Sequence, residues 1–309
     1  MTSRPSLPPV LLCIGDIDID IILRVPAPPG RDQKVNATRV AQSAGGMAAN
    51  VAVGASRLGT PTRMLGAVGD DAMGREALTS LRREGLDLDY VAVRAGEATF
   101  FCVIMVDAEG EKSLVKAMSP AYLPRPDDLT PAAFAGIGHV HFTFTEPALA
   151  RRALDRARAV GATVSLDLEA ADIPEGGGAV PDLLSAIDIL FVSEHSRARI
   201  ERFAGPLDVE GRTIVTTRGS AGARLERGTT HHEAPGRKFD VCDTSGAGDA
   251  FAAAFLHCRL SGIDDAQALE FANAAAGLST RAYGAQAGLA TRAEVDALLT
   301  TPNSGIPHV

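Results

Sequence analysis

The sequence predicts a doubly wound, mostly parallel α/β sheet with a small β-sheet projecting from it. Three observations carry this expectation. Short apolar runs alternate with helical patterns from residue 10 to residue 84, and the same rhythm resumes after residue 136. Two β-rich stretches with no helices of their own, about 34–42 and 90–118, interrupt it.

Val10–Gly15 reads as the first strand, and Ala48–Leu58 as a helix stopped by Gly59. Arg63–Val68 is then a strand and Met73–Glu84 a helix stopped by Gly85. Beyond residue 136 come strands His139–Thr143, Thr163–Leu168, Ile187–Val192 and Thr213–Thr217, with helices Pro147–Val160 and Glu194–Phe203 among them. Helices Ala247–Leu260 and Asp265–Tyr283 follow. In the second β-rich stretch, Thr99–Val106 and Ser113–Met118 flank an Asp107-Ala108-Glu109-Gly110 turn. A few strands alone cannot build a core, so they must pack on the main domain, on substrate or on a second subunit. A lid and a homodimer interface are both expected of them. Residues 1–9 and 300–309 read as disordered ends. All 309 residues read as one α/β domain with the lid strands inserted.

Composition narrows the function. The net charge is −8 and is spread along the chain, so no basic footprint points to nucleic acid or anionic lipid. No apolar run approaches membrane-spanning length, and Val10–Ile14 is too short for a signal core. Cys13, Cys102, Cys242 and Cys258 lack metal-type spacing and lie mostly in apolar runs. Buried free thiols in a reducing cytoplasm are expected. Twenty-six Arg against four Lys, with abundant Ala, reads as compositional bias rather than function.

The densest chemical signal is Asp243-Thr244-Ser245-Gly246-Ala247-Gly248-Asp249, directly before an Ala-rich helix. Small residues let backbone N–H groups crowd an anion, and the helix adds its positive end. A carboxylate in such a site suggests phosphoryl transfer with Asp249 as base; taken alone, an ordinary glycine-rich turn before a buried helix is the better reading, because short glycine motifs recur by chance. The Walker pattern and a strand-following GxGxxG are both absent. Gly45-Gly46 runs into the first helix, where Asn50 offers both donors and an acceptor to a hydroxylated ligand. Asp16, Asp18 and Asp20 alternate after the first strand, at the end of the sheet where ligands bind. They suit sugar hydroxyls, solvated loop charges or a metal. His139 with His141, and His231 with His232, have no matching third ligand and read as core or loop histidines.

Four ordered segments carry a resemblance. Gly45-Gly46-x-x-x-Asn50, Gly66–Gly74, Thr217–Gly222 and Asp243–Asp249 resemble the motifs of the PfkB, or ribokinase-like, carbohydrate kinases across roughly residues 10–298. The resemblance implies a ribokinase-like fold and transfer of a phosphoryl group from ATP, with Mg²⁺, to a sugar hydroxyl. Carried over, Asp249 is the general base, and Gly246, Ala247 and Gly248 form the anion hole. Asp18, Asp20, Gly45, Gly46 and Asn50 would hold the sugar. Thr217, Gly219 and Gly222 would follow the nucleotide phosphates and ribose, with Asn273 near the adenine. Glu146 matches a position near substrate or lid, or else caps its helix. Asp243, with the region Ser279–Gly288, matches a loop that holds a monovalent cation such as K⁺ in several members.

The chain also departs from the pattern. Ser193-Glu194-His195-Ser196 stands where many members carry the NxxE that orders Mg²⁺, a difference shared with ketohexokinases. Glu194, Asp167 and Glu169 could support the metal instead. Met47 stands where ribokinases proper have Lys, so a ketose such as fructose, or an acidic sugar, is favoured over ribose. Lys112, Lys116 and Tyr122 could meet an anionic substituent or be plain surface residues. A nucleoside kinase of the same fold, and a sugar-binding homologue without catalysis, are the competing readings.

Overall fold

The computed structural model describes residues 9–109 and 111–300. The ends read as disordered therefore lie almost wholly outside the described residues, as does Gly110 of the expected turn.

The first half of the chain supplies β1 (Val10–Ile14), β2 (Asp18–Arg24), β3 (Thr38–Gly45), α1 (Met47–Arg57), β4 (Thr62–Leu65), β5 (Ala67–Gly69) and α2 (Ala72–Arg83). Then follow β6 (Ala92–Arg94), β7 (Phe101–Val106), β8 (Lys112–Ala117), β9 (Ile137–Phe142), α3 (Pro147–Ala159), β10 (Thr163–Leu168) and α4 (Val180–Leu184). The remainder holds β11 (Ile189–Ser193), α5 (Glu194–Ala204), β12 (Thr213–Thr217), β13 (Ala223–Arg227), β14 (Thr230–Ala234), α6 (Ala247–Leu260), α7 (Asp265–Ser279) and α8 (Arg292–Thr300).

Eight strands form the main sheet in the order β14-β13-β12-β11-β10-β9-β1-β4. It is parallel except where β13 pairs antiparallel with β12 and with β14. Its central strands are apolar on both faces, as in β1, where Leu11, Leu12, Cys13 and Ile14 are fully buried. The second sheet has four strands, β3-β2-β7-β8.

That second sheet differs from the expected lid in membership. Asp18–Arg24, which lies outside both stretches expected to form the lid, is its inner strand β2, buried along most of its length. The Asp-Ile alternation is that of a strand whose two faces are both covered. Ala92–Arg94 lies elsewhere, paired with β5 in a two-stranded sheet. Arg63–Val68 accordingly breaks at Gly66, with β4 in the main sheet and β5 outside it. The last long helix stops at Ser279 rather than Tyr283, and β13, β14, α4 and α8 carry no periodicity strong enough to predict them.

Alanine abundance has a structural role beyond compositional bias. α6 is buried nearly all round, with Ala252, Ala253 and Ala254 fully enclosed, and it contacts both α1 and α7. A Cβ on Gly54 of α1 would stand 2.8 Å from Ala253 Cβ, so the two helices meet along small residues. The Gly66–Gly74 segment is likewise architectural. Asp71 caps α2 through the Gly74 amide at 2.8 Å and accepts from the Thr99 amide and hydroxyl at 2.9 and 2.6 Å. It thereby ties α2 to the entry of β7.

Candidate active site

Gly246 begins the site. It takes a left-handed conformation, φ 72°, and a Cβ there would stand 2.7 Å from Ala285 Cβ, so this glycine is demanded by packing as well as by the turn. Gly248 differs: nothing lies within 4 Å of the Cβ it lacks, which leaves open space beside the first amides of α6. Asp249 follows, buried in the first turn of that helix.

The Asp249 carboxylate accepts a 2.8 Å hydrogen bond from Asn50 Nδ2. Asn50 Oδ1 in turn accepts from Gln286 Nε2 at 3.0 Å, which orients the Asn50 amide. Burial pushes Asp249 well above the usual carboxylate range; the Asn50 bond opposes this, while Asp167, Glu169 and Asp16 add to it. Gln286 was missed from the sequence, because the loop containing it was considered only for its backbone carbonyls.

The other carboxylates divide. Asp16 accepts from the Met47 and Ala48 amides at 3.1 and 3.2 Å and so caps α1, rather than joining Asp18 and Asp20 as the alternation suggested. Asp18 and Asp20 lie on β2, buried, with ligand atoms within 4.8 Å of each other and of the Cys102 thiol. A Cβ on Gly45 would overlap both carboxylates. Gly46, φ 98°, passes so close to Asp16 that a Cβ would stand 2.6 Å from its carbonyl oxygen. Asp18 Oδ1 is buried with no hydrogen-bond partner, an acceptor left for a donor. Burial, then the charges of Asp16 and Asp243, push Asp20 up to about 6.

A cavity of about 670 Å³ reaches Asp249 and the first turn of α6, and Asp18, Asp20, Gly45, Gly46 and Asn50 are not among its lining residues. Asp249, Gly248, Ser245, Lys112, Met47 and Asp167 are among its lining residues. A second cavity, of about 340 Å³, shares Thr217, Thr244, Ala247, Gly248 and Phe251 with it and extends to Gly219, Gly222 and Asn273. Gly219 (φ 55°) has open space where a Cβ would be, whereas Gly222 is pressed against the backbone of residues 234–236. The Asn273 amide donates to Ala234 O at 3.0 Å, which anchors α7 to the end of β14.

Two expected residues stand apart. Glu146 is exposed and caps α3 through the Ala148 and Leu149 amides at 3.2 and 2.6 Å, the helix-capping alternative. Glu194 is exposed on the first turn of α5 and does not line the large cavity. Ser193, in the NxxE-matching stretch, caps α5 by accepting from the Ser196 amide at 3.0 Å. Asp167 does line the cavity, pushed up to about 7 by burial and by Glu169, which also lines it. His139 and His141 belong to the core: both bond Ser165 Oγ at 2.8 Å, and burial pulls both down to about 3. All four cysteines are free, with Cys242 exposed and the others buried. No described helix is long and apolar enough to cross a membrane.

Comparisons with known proteins agree with this arrangement. The pfkB family carbohydrate kinase model matches residues 9–292. The chain is 32% identical over 282 residues to the ATP-dependent ribose-1-phosphate kinase of Halopiger xanaduensis, covering 89% of this chain and 93% of that one. It is 31% identical to the ribokinase of Bacillus subtilis over 93% and 98% of the two chains. The structure of Arabidopsis thaliana ribokinase complexed with ribose and ATP superposes with a TM-score of 0.79 at 26% identity, covering 96% of this chain and all of that one. The chain therefore belongs to the PfkB family of carbohydrate kinases, and is an ATP-dependent phosphotransferase acting on a sugar.

Proposed function

We propose that the enzyme transfers the γ-phosphoryl group of ATP to a hydroxyl of an uncharged monosaccharide, with Asp249 accepting the hydroxyl proton. The observation that carries this reading is the Asn50–Asp249 bond, which links the Gly45-Gly46 helix start to the first turn of α6. The sugar would lie between the β2 carboxylates and Asp249, with ATP across the two adjoining cavities. Ionised carboxylates accept but do not donate, so Asp18 and Asp20 suit the donors of a polyol. The amides of Gly246, Ala247 and Gly248 would stabilise the charge of the transferring group; such loose transition states depend mainly on positioning and charge. The small sheet would close over the sugar as a lid and exclude water.

Asp167 and Glu169 suit Mg²⁺: two neighbouring carboxylates, one held up to about 7 partly by the other, are relieved by a hard divalent cation. Bound there, largely through water, Mg²⁺ would neutralise phosphate charge. An acidic sugar has less support than the sequence suggested. Lys116 is paired with Asp172 at 3.2 Å, and Lys112 with Asp243 at 2.9 Å, so neither lysine is spare. A substrate anion near β2 would face Asp16, Asp18 and Asp20. Met47, which stands where ribokinases proper have Lys, supports a ketose such as fructose over ribose by resemblance alone. Of the aromatics that could stack on a nucleoside, Phe100 is buried and packs edge-on against Tyr122 at 4.6 Å, which leaves the partly exposed Phe101 and Tyr122.

ADP release measured across fructose, ribose, ribose 1-phosphate, an acidic sugar and adenosine tests the proposal. Turnover of fructose above ribose is expected; a preference for ribose overturns the ketose reading, and a preference for a charged sugar or a nucleoside overturns the substrate class. No turnover with any ligand that nevertheless raises the melting temperature would make this a binding protein.

A further inference from the structure

The loop expected to hold a monovalent cation already contains protein cations. Asp243 Oδ2 accepts from the Gly284 amide at 2.9 Å, and Oδ1 from the Ser245 amide and hydroxyl at 2.9 and 2.8 Å. Oδ1 also accepts from Lys112 Nζ at 2.9 Å. The same ammonium donates to Thr244 Oγ1 and Ser245 Oγ, each at 3.0 Å. A lysine ammonium has three donors and no acceptor, and three oxygens from consecutive residues take them. Burial alone would raise Asp243, but Lys112 and the two amides outweigh it and bring the carboxyl down to about 2.

Three carbonyls of the facing segment are engaged as well. Gln286 O and Leu289 O each accept from Arg57 Nη1 at 2.8 Å, and Thr280 O takes the Cys242 and Asp243 amides at 2.8 and 3.1 Å. These donor sets do not fit K⁺: the carboxylate and these loop carbonyls are spent on groups that arrive with the chain. A lysine at 112 is notable where arginine outnumbers lysine twenty-six to four. A compact ammonium can sit among three convergent oxygens, whereas a planar guanidinium cannot do so in the same space.

We propose that the Lys112 ammonium is the built-in monovalent cation of the Asp243 loop and replaces K⁺ there. Because Lys112 stands on β8, the small sheet carries this charge to the loop that leads into α6. Lys112 is thus a positioning residue: it neutralises Asp243 and fixes Thr244 and Ser245, which directly precede the Gly246–Gly248 amides.

Two measurements test it. In the first, wild-type protein freed of monovalent metal ions is melted and assayed in choline, Na⁺ and K⁺ chlorides at equal ionic strength. Neither melting temperature nor kcat should depend on the cation; specific K⁺ activation or stabilisation of the wild type overturns the proposal. In the second, Lys112→Met is expected to lose roughly tenfold or more in kcat in choline, less than the 10²–10³ typical of a direct transition-state donor. K⁺, more than Na⁺, should restore part of it and raise the melting temperature of this variant alone. A rise in KM for ATP without rescue by K⁺ would assign Lys112 to the phosphates instead. If Lys112→Met does not fold, Lys112→Ala takes its place, and the wild-type ion series stands by itself. The melting arm needs no sugar, so it is independent of the substrate proposal.

Discussion

Asn50 Nδ2 donates a 2.8 Å hydrogen bond to Asp249 Oδ2 across 199 residues of sequence. One bond therefore joins the start of α1 to the first turn of α6. Two forces compete at Asp249. Burial favours its neutral acid, whereas the Asn50 amide and the positive end of α6 favour the carboxylate.

Replacing Asp249 by Asn should lower kcat by roughly 10² to 10⁴, the range for a lost general base, with ATP binding largely kept. Stability should move the other way. A carboxyl whose folded pKa is raised binds its proton more tightly in the native state, so its contribution falls as pH rises from the unfolded value towards the folded one. At neutral pH the variant should melt at or above the wild-type temperature, with the gap closing towards pH 4. Calorimetry at the two pH values checks this, and wild-type turnover by the variant would remove Asp249 from the mechanism.

Asn50→Ala removes the bond that holds Asp249 down. Its pKa should rise further, so the acid limb of the kcat profile should shift to higher pH while the alkaline plateau partly recovers. A pH–rate series on both proteins reads the shift directly; an unmoved acid limb would mean that Asp249 titration does not govern the rate.

Gly45→Ala and Gly248→Ala should separate two uses of glycine. At Gly45 the new methyl overlaps Asp18 and Asp20, so KM for the sugar should rise and stability should fall by about 1–3 kcal/mol. At Gly248 the methyl meets no protein atom, so stability should be kept while kcat falls, because the methyl enters the space offered to the phosphoryl group. Equal melting temperatures and equal kinetics for the two variants would refute the distinction.

The outer strand of the small sheet, β8, leaves Leu114 and Val115 about half exposed, with Met118 following at 63%. An uncovered apolar edge strand invites pairing, and we propose a homodimer through it. Light scattering should give twice the 32.1 kDa chain mass, with Val115→Lys shifting it towards one. A monomeric wild type at micromolar concentration counts against this interface.

Much of the fold could be read along the chain, because a parallel sheet writes its strands as apolar runs and its helices as periodic ones. β1, β10, β12, α1 and α6 fall close to where those patterns put them. β2 does not, since Asp18 and Asp20 alternate as acceptors for sugar hydroxyls would, and what makes the segment a strand is its pairing with the distant β3 and β7. The antiparallel edge β13–β14 is short and polar on one face, so its pairing depends on β12 rather than on its own residues.

Local chemistry determined that Asp243–Asp249 is a small-residue helix start carrying a carboxylate, because small residues and a helix end are properties of neighbouring residues. Only the tertiary structure decided which distant groups meet it. It brought Asn50 to Asp249 and Lys112 to Asp243, sent Asp16 to cap α1 and Glu146 to cap α3, and placed Asp167 rather than Glu194 on the cavity wall. Hydrogen bonds act over about 3 Å, and nothing in a linear string records which residues 131 or 199 positions apart will come within that reach.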